Sequence, residues 1–318
     1  MWVPGFSLGG PNKIVDQMKW QYEDKATQGK FIISIGDASL KGEGLFNGKK
    51  EMINTIVYNT GEEQKVVIDK ISYTMPGNSV LPLVANQHFS FAEPENLVAW
   101  QFNRDFYCIA DHDAEVGCVG FLFYGIQHPF FIPLSVKEME SISIIEMQCV
   151  EDMEVKDKMQ GEMLRTLLKR LIINVTRIAK QQTECYTRFT DDRMDCIRKF
   201  NLLLEAHFRT HHEVQFYAQA MNKSPKTITN LFGLCNYPSP SRLIQQRITL
   251  EAKRYLYFTD KSAKEVAGNL GFTSTAHFSR FFKSNTGVNF SEFKHPEGLK
   301  SRFLSGTRRE SAPLPTKN

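Results

Sequence analysis

Residues 263–294 read A-K-E-V-A-G-N-L-G-F-T-S-T-A-H-F-S-R-F-F-K-S-N-T-G-V-N-F-S-E-F-K. This stretch carries the signals for two short helices and a tight turn between them. Ser262-Ala263-Lys264-Glu265 has the spacing of a capping box: the serine accepts a bond from a backbone N–H, and the glutamate reaches back. A helix is therefore predicted to start there, with Val266, Ala267 and Leu270 as its buried stripe. Gly271 supplies the positive φ that a tight inter-helix turn needs, and Phe272 fills the space beneath it. Thr273 or Ser274 can cap a second helix, Thr275 to Asn285, with Phe278, Phe281 and Phe282 inward and Gly287 at its end.

The other face of that second helix holds Thr275, Ala276, Ser279, Arg280 and Lys283. Small polar residues with one arginine and one lysine suit the major groove, where arginine can bond both acceptors of guanine, so Arg280 is the expected base reader. His277 and Ser279 sit where a side chain reaches phosphate. An ordinary solvated helix face is the bland alternative, and the capped helix and glycine turn ahead of it argue against that. The contact set expected from this unit is Ser274, Thr275, Ala276, His277, Ser279, Arg280 and Lys283.

An earlier copy of the arrangement runs from Glu213 to Phe232, with Val214, Tyr217, Ala218 and Met221 as the apolar positions of its first helix and Asn222-Lys223 as its turn. Ser224 followed by Pro225 is a helix start. Ile228, Leu231 and Phe232 are expected in the core, and Lys226, Thr229 and Asn230 face outward, asparagine being the match for adenine. Between the copies, Arg242 to Phe258 has Leu243, Ile244, Ile248, Ala252 and Leu256 in helical register. Such a helix spans roughly 25 Å at ~1.5 Å per residue. With part of each flanking unit it brings the two recognition helices near the ~34 Å of one duplex turn.

Outward from this region, 318 residues suggest two domains. Residues 1–180 hold 18 Lys and Arg against 23 Asp and Glu, a net of −5, and residues 181–318 hold 21 against 12, a net of +9. A basic part joined to an acidic part is expected when one domain must sit against phosphates. The six cysteines include no C-x-x-C pair, which points away from a zinc ribbon or disulfide framework and towards a reducing compartment. Met1 to Pro11 lacks a leader pattern and no run approaches the ~18 apolar residues of a membrane helix, so no membrane partner and a cytoplasmic, nucleoid-associated protein are expected.

From Phe31 to about Ile132 the apolar residues come in short β-branched or aromatic runs: Phe31 to Ile35, Asn54 to Tyr58, Val66 to Tyr73, Leu97 to Phe102 and Val119 to Tyr124. Turn residues lie between them, notably Gly61 and Pro76-Gly77-Asn78, so a β-sandwich or barrel is predicted. Lys137 to Lys180 then reads as helical, with a seam at Leu164, Leu168, Leu171, Val175 and Ile178. That seam fits either packing on the chain's own β-domain or a dimer interface. His88 and Trp100 are the effector-pocket candidates, beside Phe89, Phe91 and Phe102, although aromatics at strand spacing are also core residues. Asp111-His112-Asp113 resembles a ligand cluster only superficially, and no metal site or cofactor is expected.

The run from Ala263 to Lys294, with Leu-Gly-Phe, His-Phe-Ser-Arg-Phe-Phe-Lys and Thr-Gly in that order and spacing, resembles the C-terminal domain of the arabinose-operon regulator (AraC/XylS) family. The resemblance implies an α+β multidomain fold. Its parts would be a cupin-like β-barrel sensing domain at 1–135, a helical dimerisation segment at 136–182, an all-α double helix-turn-helix domain at 190–298 and a disordered tail at 299–318. It implies double-stranded DNA and a second copy of the chain as partners, and admits RNA polymerase and a small-molecule effector. The first unit departs from the family pattern: Gly233-Leu234-Cys235-Asn236-Tyr237-Pro238 stands where a basic pair and Thr-Gly are usual, and Asn230 replaces a common arginine. Three functions follow, namely an effector-responsive DNA-binding regulator, a regulator whose barrel is only a scaffold, and a cupin-type enzyme with a DNA-binding tail. The lack of a metal triad or nucleophile–base pair disfavours the last.

Overall fold

The computed structural model describes residues 18–41, 53–85, 87–109, 122–123, 129–182, 191–235, 237–290 and 293. The chain divides into two compact units between Arg198 and Lys199. The first contains strands β1 (Met18–Asp24), β2 (Gly29–Ile35), β3 (Ile53–Asn59), β4 (Gln64–Ile68), β5 (Ile71–Met75), β6 (Ser79–Leu83), β7 (Phe89–Phe91), β8 (Leu97–Asn103) and β9 (Ile132–Pro133). Helices α1 (Val136–Glu154) and α2 (Gln160–Gln181) follow.

A 6-stranded antiparallel sheet runs in the order β1-β2-β8-β3-β6-β9, and a 3-stranded one in the order β5-β4-β7. The period of two explains the layering. In β8, Val98, Trp100 and Phe102 turn to one face, opposite Ile35, Ile33 and Phe31 of β2, and pack with Ile142, Ile145, Leu164, Leu168 and Leu171 of the helices. The alternate residues of the same sheet, Val57, Leu81, Leu83 and Ala99, pack against Val66, Ile68 and Phe91 of the smaller sheet. One sheet thus has two buried faces, which is why its strands read as nearly continuous apolar runs.

Three expectations are corrected here. Among the described residues the strands form two facing sheets and are not closed into one barrel, because β5, β4 and β7 bond only to one another. Val66 to Tyr73 is not one strand: Asp69 and Lys70, at φ 48° and 69°, reverse the chain so that Ile68 pairs with Ile71. Left-handed turns of this kind usually announce themselves with glycine or asparagine, and this one does not. Val119 to Tyr124 lies mostly outside the described residues, and Leu122 and Phe123 are helical.

Leu164, Leu168, Leu171, Val175 and Ile178 are all buried within their own unit, so the seam is filled by the chain's own sheet and α1. A capping box starts α1, where the Glu138 carboxylate accepts from the Ser135 N–H at 2.7 Å. Arg165 of α2 reaches back to β1 and the end of β8: its Nε donates to the Phe106 carbonyl at 3.2 Å and its guanidinium lies 3.6 Å from Asp24.

The second unit is all helical. Its first helix, α3 (Asp191–His207), crosses the division, and α4 (Val214–Ala220), α5 (Pro225–Leu234), α6 (Pro240–Phe258), α7 (Ala263–Asn269) and α8 (Thr275–Thr286) follow. No helix of the described residues is long and apolar enough to cross a membrane.

Leu168→Ala is expected to destabilise the first unit by about 2–5 kcal/mol, the cost of a cavity at a fully buried leucine. A lowered denaturant midpoint of the first unit is the measurement, and a change in oligomeric state with an unchanged midpoint would place this face at an interface instead.

Candidate nucleic-acid interface

The second helix-turn-helix, α7 and α8, is built from local signals. Glu265 Oε2 accepts from the Ser262 N–H at 2.8 Å and Ser262 Oγ accepts from the Glu265 N–H at 3.3 Å, completing the capping box. Gly271 takes φ +75°, and a Cβ there would run into the carbonyl oxygen of Arg209. Ser274, rather than Thr273, caps α8, accepting from the His277 N–H at 3.1 Å. Phe278 and Phe282 are buried, Phe281 is half-buried with its ring 5.1 Å from Phe272, and Gly287 ends α8 in the left-handed region. Left on the outside are Ser274, Ala276, His277, Arg280 and Lys283, all exposed, with Thr275 and Ser279 half-buried. Among the described residues neither Arg280 nor Lys283 forms an ion pair, so both charges face solvent.

The first unit, α4 and α5, repeats the plan with different residues. Tyr217 and Ala218 are buried, and the Tyr217 hydroxyl donates to the His211 carbonyl at 2.7 Å. Asn222 makes the turn at φ +53°, and Ser224 Oγ accepts from the Thr227 N–H at 3.0 Å ahead of Pro225. Ile228 and Phe232 are core, Leu231 is half-buried, and Lys226, Thr229 and Asn230 are exposed. The Thr229 hydroxyl donates to the Pro225 carbonyl at 2.9 Å, so it is already engaged along its own helix.

The connecting helix α6 has 19 residues, about 28 Å at ~1.5 Å per residue, and its inner side carries charge that no sequence pattern announced. Glu251, buried, accepts from Arg247 at 3.0 Å and from Arg209 at 2.5 Å, with Arg254 at 3.6 Å. Arg247 also bonds Glu205 of α3 at 2.7 Å, and its guanidinium and that of Arg209 lie 3.9 and 4.5 Å from the Phe208 ring centre. Burial alone would raise the Glu251 pKa, but Arg247, Arg209 and Arg254 hold it below the usual carboxylate range. Spacings of three and four along α6 identify Arg247, Glu251 and Arg254 as one helix face, but Glu205 and Arg209 lie too far away in sequence to be read as its partners.

The effector-pocket candidates are not brought together. Trp100 is wholly buried on the helix-facing side of the large sheet, whereas His88 borders β7 in the small sheet, where its carbonyl accepts from the Asp69 N–H and its own N–H donates to the Asp69 carboxylate. Asp111-His112-Asp113 lies outside the described residues. Among those described, no group of three or more His, Cys, Asp or Glu could hold a metal ion.

Residues 217–295 match the family profile described as a helix-turn-helix domain. The second unit therefore carries a helix-turn-helix domain. No curated protein sequence matches it. Among solved structures it is similar to ToxT from Vibrio cholerae, at 14% identity and TM-score 0.38, covering 88% of this chain and 97% of that one. It is also similar to ToxT from Vibrio cholerae strain SCE256 with an unsaturated fatty acid bound, at 16% identity and TM-score 0.37, covering 77% and 87%. The AraC-like transcriptional activator CuxR shows 9% identity and TM-score 0.28, covering 74% and 81%.

Two outcomes follow for the helix-turn-helix domain. Glu251→Ala leaves buried arginines unpaired and should cost about 3–5 kcal/mol, read by chemical denaturation. Because the folded-state pKa of Glu251 is depressed, its contribution is complete above the ordinary ~4.5 of a glutamate and is lost as pH falls through the folded value; the wild type should therefore lose stability across that acid window more steeply than Glu251→Gln. Gly271→Ala, strained in φ and obstructed by the Arg209 carbonyl, should lower the melting temperature of the second unit, whereas Gly268→Ala, with open space around it, should not.

Proposed function

We propose that this chain is an AraC-type transcription regulator that reads DNA with the outer faces of α5 and α8 together, as a homodimer in the cytoplasm that answers an effector held by its β-sheet unit. The observation that carries the reading is the pair of outward faces, Lys226 and Asn230 on one recognition helix and Arg280 and Lys283 on the other, exposed at the two sides of a stiff helix. In this reading Arg280 reads a base edge and Asn230 an adenine, while Ser274, Thr275, Ala276, His277, Ser279, Lys283, Lys226 and Thr229 position the unit on the backbone or fit the groove.

The two-sheet arrangement fits the double-sheet jelly rolls to which cupins belong. Support for an effector comes from the layer between the sheets, where Gln101 of β8 and Thr55 of β3 are buried cross-strand partners and Ser34 of β2, opposite Ala99, lies buried one pair further along. Gln101 Nε2 lies 3.5 Å from Thr55 Oγ1, and Ser34 Oγ has no hydrogen-bond partner among the described residues. Dimerisation through 136–182 would use the outer side of the helical pair, where Ile144, Met147 and Met163 are exposed, since the inner seam is occupied.

Selection of bound fragments from genomic DNA tests the reading, and footprints should show two contacts about one turn apart per chain. Arg280→Ala should lose about 1–3 kcal/mol at the selected site and relax preference at one base. Equal losses on random DNA would refute direct readout, and a single short footprint would remove the first unit from the interface.

A further inference from the structure

The large sheet ends in two very different edges. On one side β9 is 2 residues long, and its Pro133 carbonyl accepts from the Gln182 side-chain amide at 2.7 Å. On the other side β1 runs for 7 residues and, among the described residues, pairs only with β2. The register tells which of its backbone groups are already used. Gly36 N–H donates to the Leu97 carbonyl at 2.9 Å, so Gly36 and every second residue before it, Ser34 and Ile32, bond across to β8. The alternate residues of β2 therefore bond to β1, through Met18, Trp20, Tyr22 and Asp24. The N–H and C=O groups of Lys19, Gln21 and Glu23 are left pointing away from the sheet, a row of open donors and acceptors.

The order of side chains along β1 complements its own reverse. Laid antiparallel on a second β1 about Gln21, Lys19 falls opposite Glu23 and Trp20 opposite Tyr22, each pair occurring twice by symmetry. We propose that the β1 edge is a docking surface for the β1 edge of a second copy of this chain, joining the two 6-stranded sheets across a twofold axis at Gln21. Gln21 with Gln21 and Lys19 with Glu23 are then the hydrogen-bonded pairs, and Trp20 with Tyr22 the non-bonded pairs whose side chains come closest. Both rings are half-buried at the rim of the core beneath the helices, so the contact continues that core from one copy to the next. On the opposite face the charges alternate. Within one copy Lys19 lies 2.8 Å from Asp37 and Lys30 lies 3.4 Å from Glu23, while 44% of the Lys19 side chain and 57% of the Glu23 side chain stay exposed to meet across the axis. A lysine on an edge strand ordinarily deters pairing with a foreign strand. The glutamate four positions later turns that deterrent into selection for the same strand in reverse. Because α1 packs against β1, the strand edge and the outer side of the helical pair can belong to one twofold contact.

The inference rests on the homodimer reading, and one set of measurements separates the two. Sedimentation equilibrium of the full chain at low salt gives the dimerisation constant for wild type, Lys19→Glu, Glu23→Lys and an equimolar mixture of those two variants. Each variant alone sets like charges opposite one another at both ends of the contact and should dimerise about tenfold more weakly than wild type. In the mixture a Lys19→Glu chain meets a Glu23→Lys chain with opposite charges at both positions, and affinity should return to near the wild-type value. Loss of the internal Lys19–Asp37 or Glu23–Lys30 pair cannot produce that rescue, since mixing repairs nothing within a chain. Gln21→Pro removes an outward N–H and spares the bonds between β1 and β2, so it should weaken the dimer while the melting temperature holds. Dimers indifferent to these substitutions, or charge variants that stay apart when mixed, would overturn the edge contact. Should a charge variant melt early, Gln21→Pro decides. A wild-type dimer that ignores all three but is broken by Ile144→Glu leaves the homodimer standing on the helical pair alone, without the edge. A wild-type chain that stays monomeric with and without DNA sinks the homodimer reading and this contact with it.

Discussion

The helix-turn-helix unit is organised around a carboxylate that has been taken out of water. A lone buried Glu251 would cost several kcal/mol in lost hydration, and three arginines converge on it from α6 and from the loop after α3. Each arginine is held for the same reason, since Arg247 would be no better off alone in the interior. Neither sign can leave without stranding the other. The Phe208 ring between Arg209 and Arg247 adds a cation–π surface that excludes water from the pair. The consequence is geometric: α3, the α3–α4 loop and α6 are clamped, and the Arg209 backbone, fixed by its own side chain, becomes the surface on which the Gly271 turn rests.

From that clamp the two recognition helices inherit their freedom to be polar. Each helix-turn-helix packs one face on aromatic rings, Phe272, Phe278, Phe282 and Phe290 in the second unit and Phe200, Tyr217 and Phe232 in the first. Burying large rings on one side leaves the other side with no structural duty. The two outer faces are not equivalent, however. The second offers two unpaired cations, the first one lysine, an asparagine and a threonine whose hydroxyl already bonds its own helix. On the proposed reading, unequal faces on a shared frame would divide labour: the helix with two free cations would supply more of the affinity, and its neighbour would add discrimination through contacts too weak alone.

What could be read from the sequence was what is decided within one turn of helix or one tight turn. Ser262 with Glu265, Ser224 with Pro225, Gly271 and Gly287 all do locally what their spacing implies, because a cap or a left-handed turn is a contract among near neighbours. The seam from Leu164 to Ile178 shows the limit: periodicity says which side is apolar and is silent about what covers it. The Asp69-Lys70 turn was missed because neither residue is glycine, and the barrel closed in expectation because runs of strands do not reveal which edges pair. Glu251 and Arg209 were missed for a common reason. They meet across 42 positions of sequence, and an isolated charge in a sequence carries no mark of the partner that will neutralise it.

The basic charge of this half of the molecule therefore consists of two populations that composition cannot separate. Arg209, Arg247 and Arg254 with Glu205 and Glu251 account for +1 of the +9 carried by residues 181–318, leaving +8 outside the clamp. Counterion release responds to cations that meet phosphate, and a guanidinium already bonded to a buried carboxylate has neither the reach nor the free donors to do so. Lys226, Arg280 and Lys283 have both. Internal arginines thus set the angle at which external ones are presented, and on the proposed reading the salt dependence of binding would belong to the second group although its strength at any salt would depend on the first.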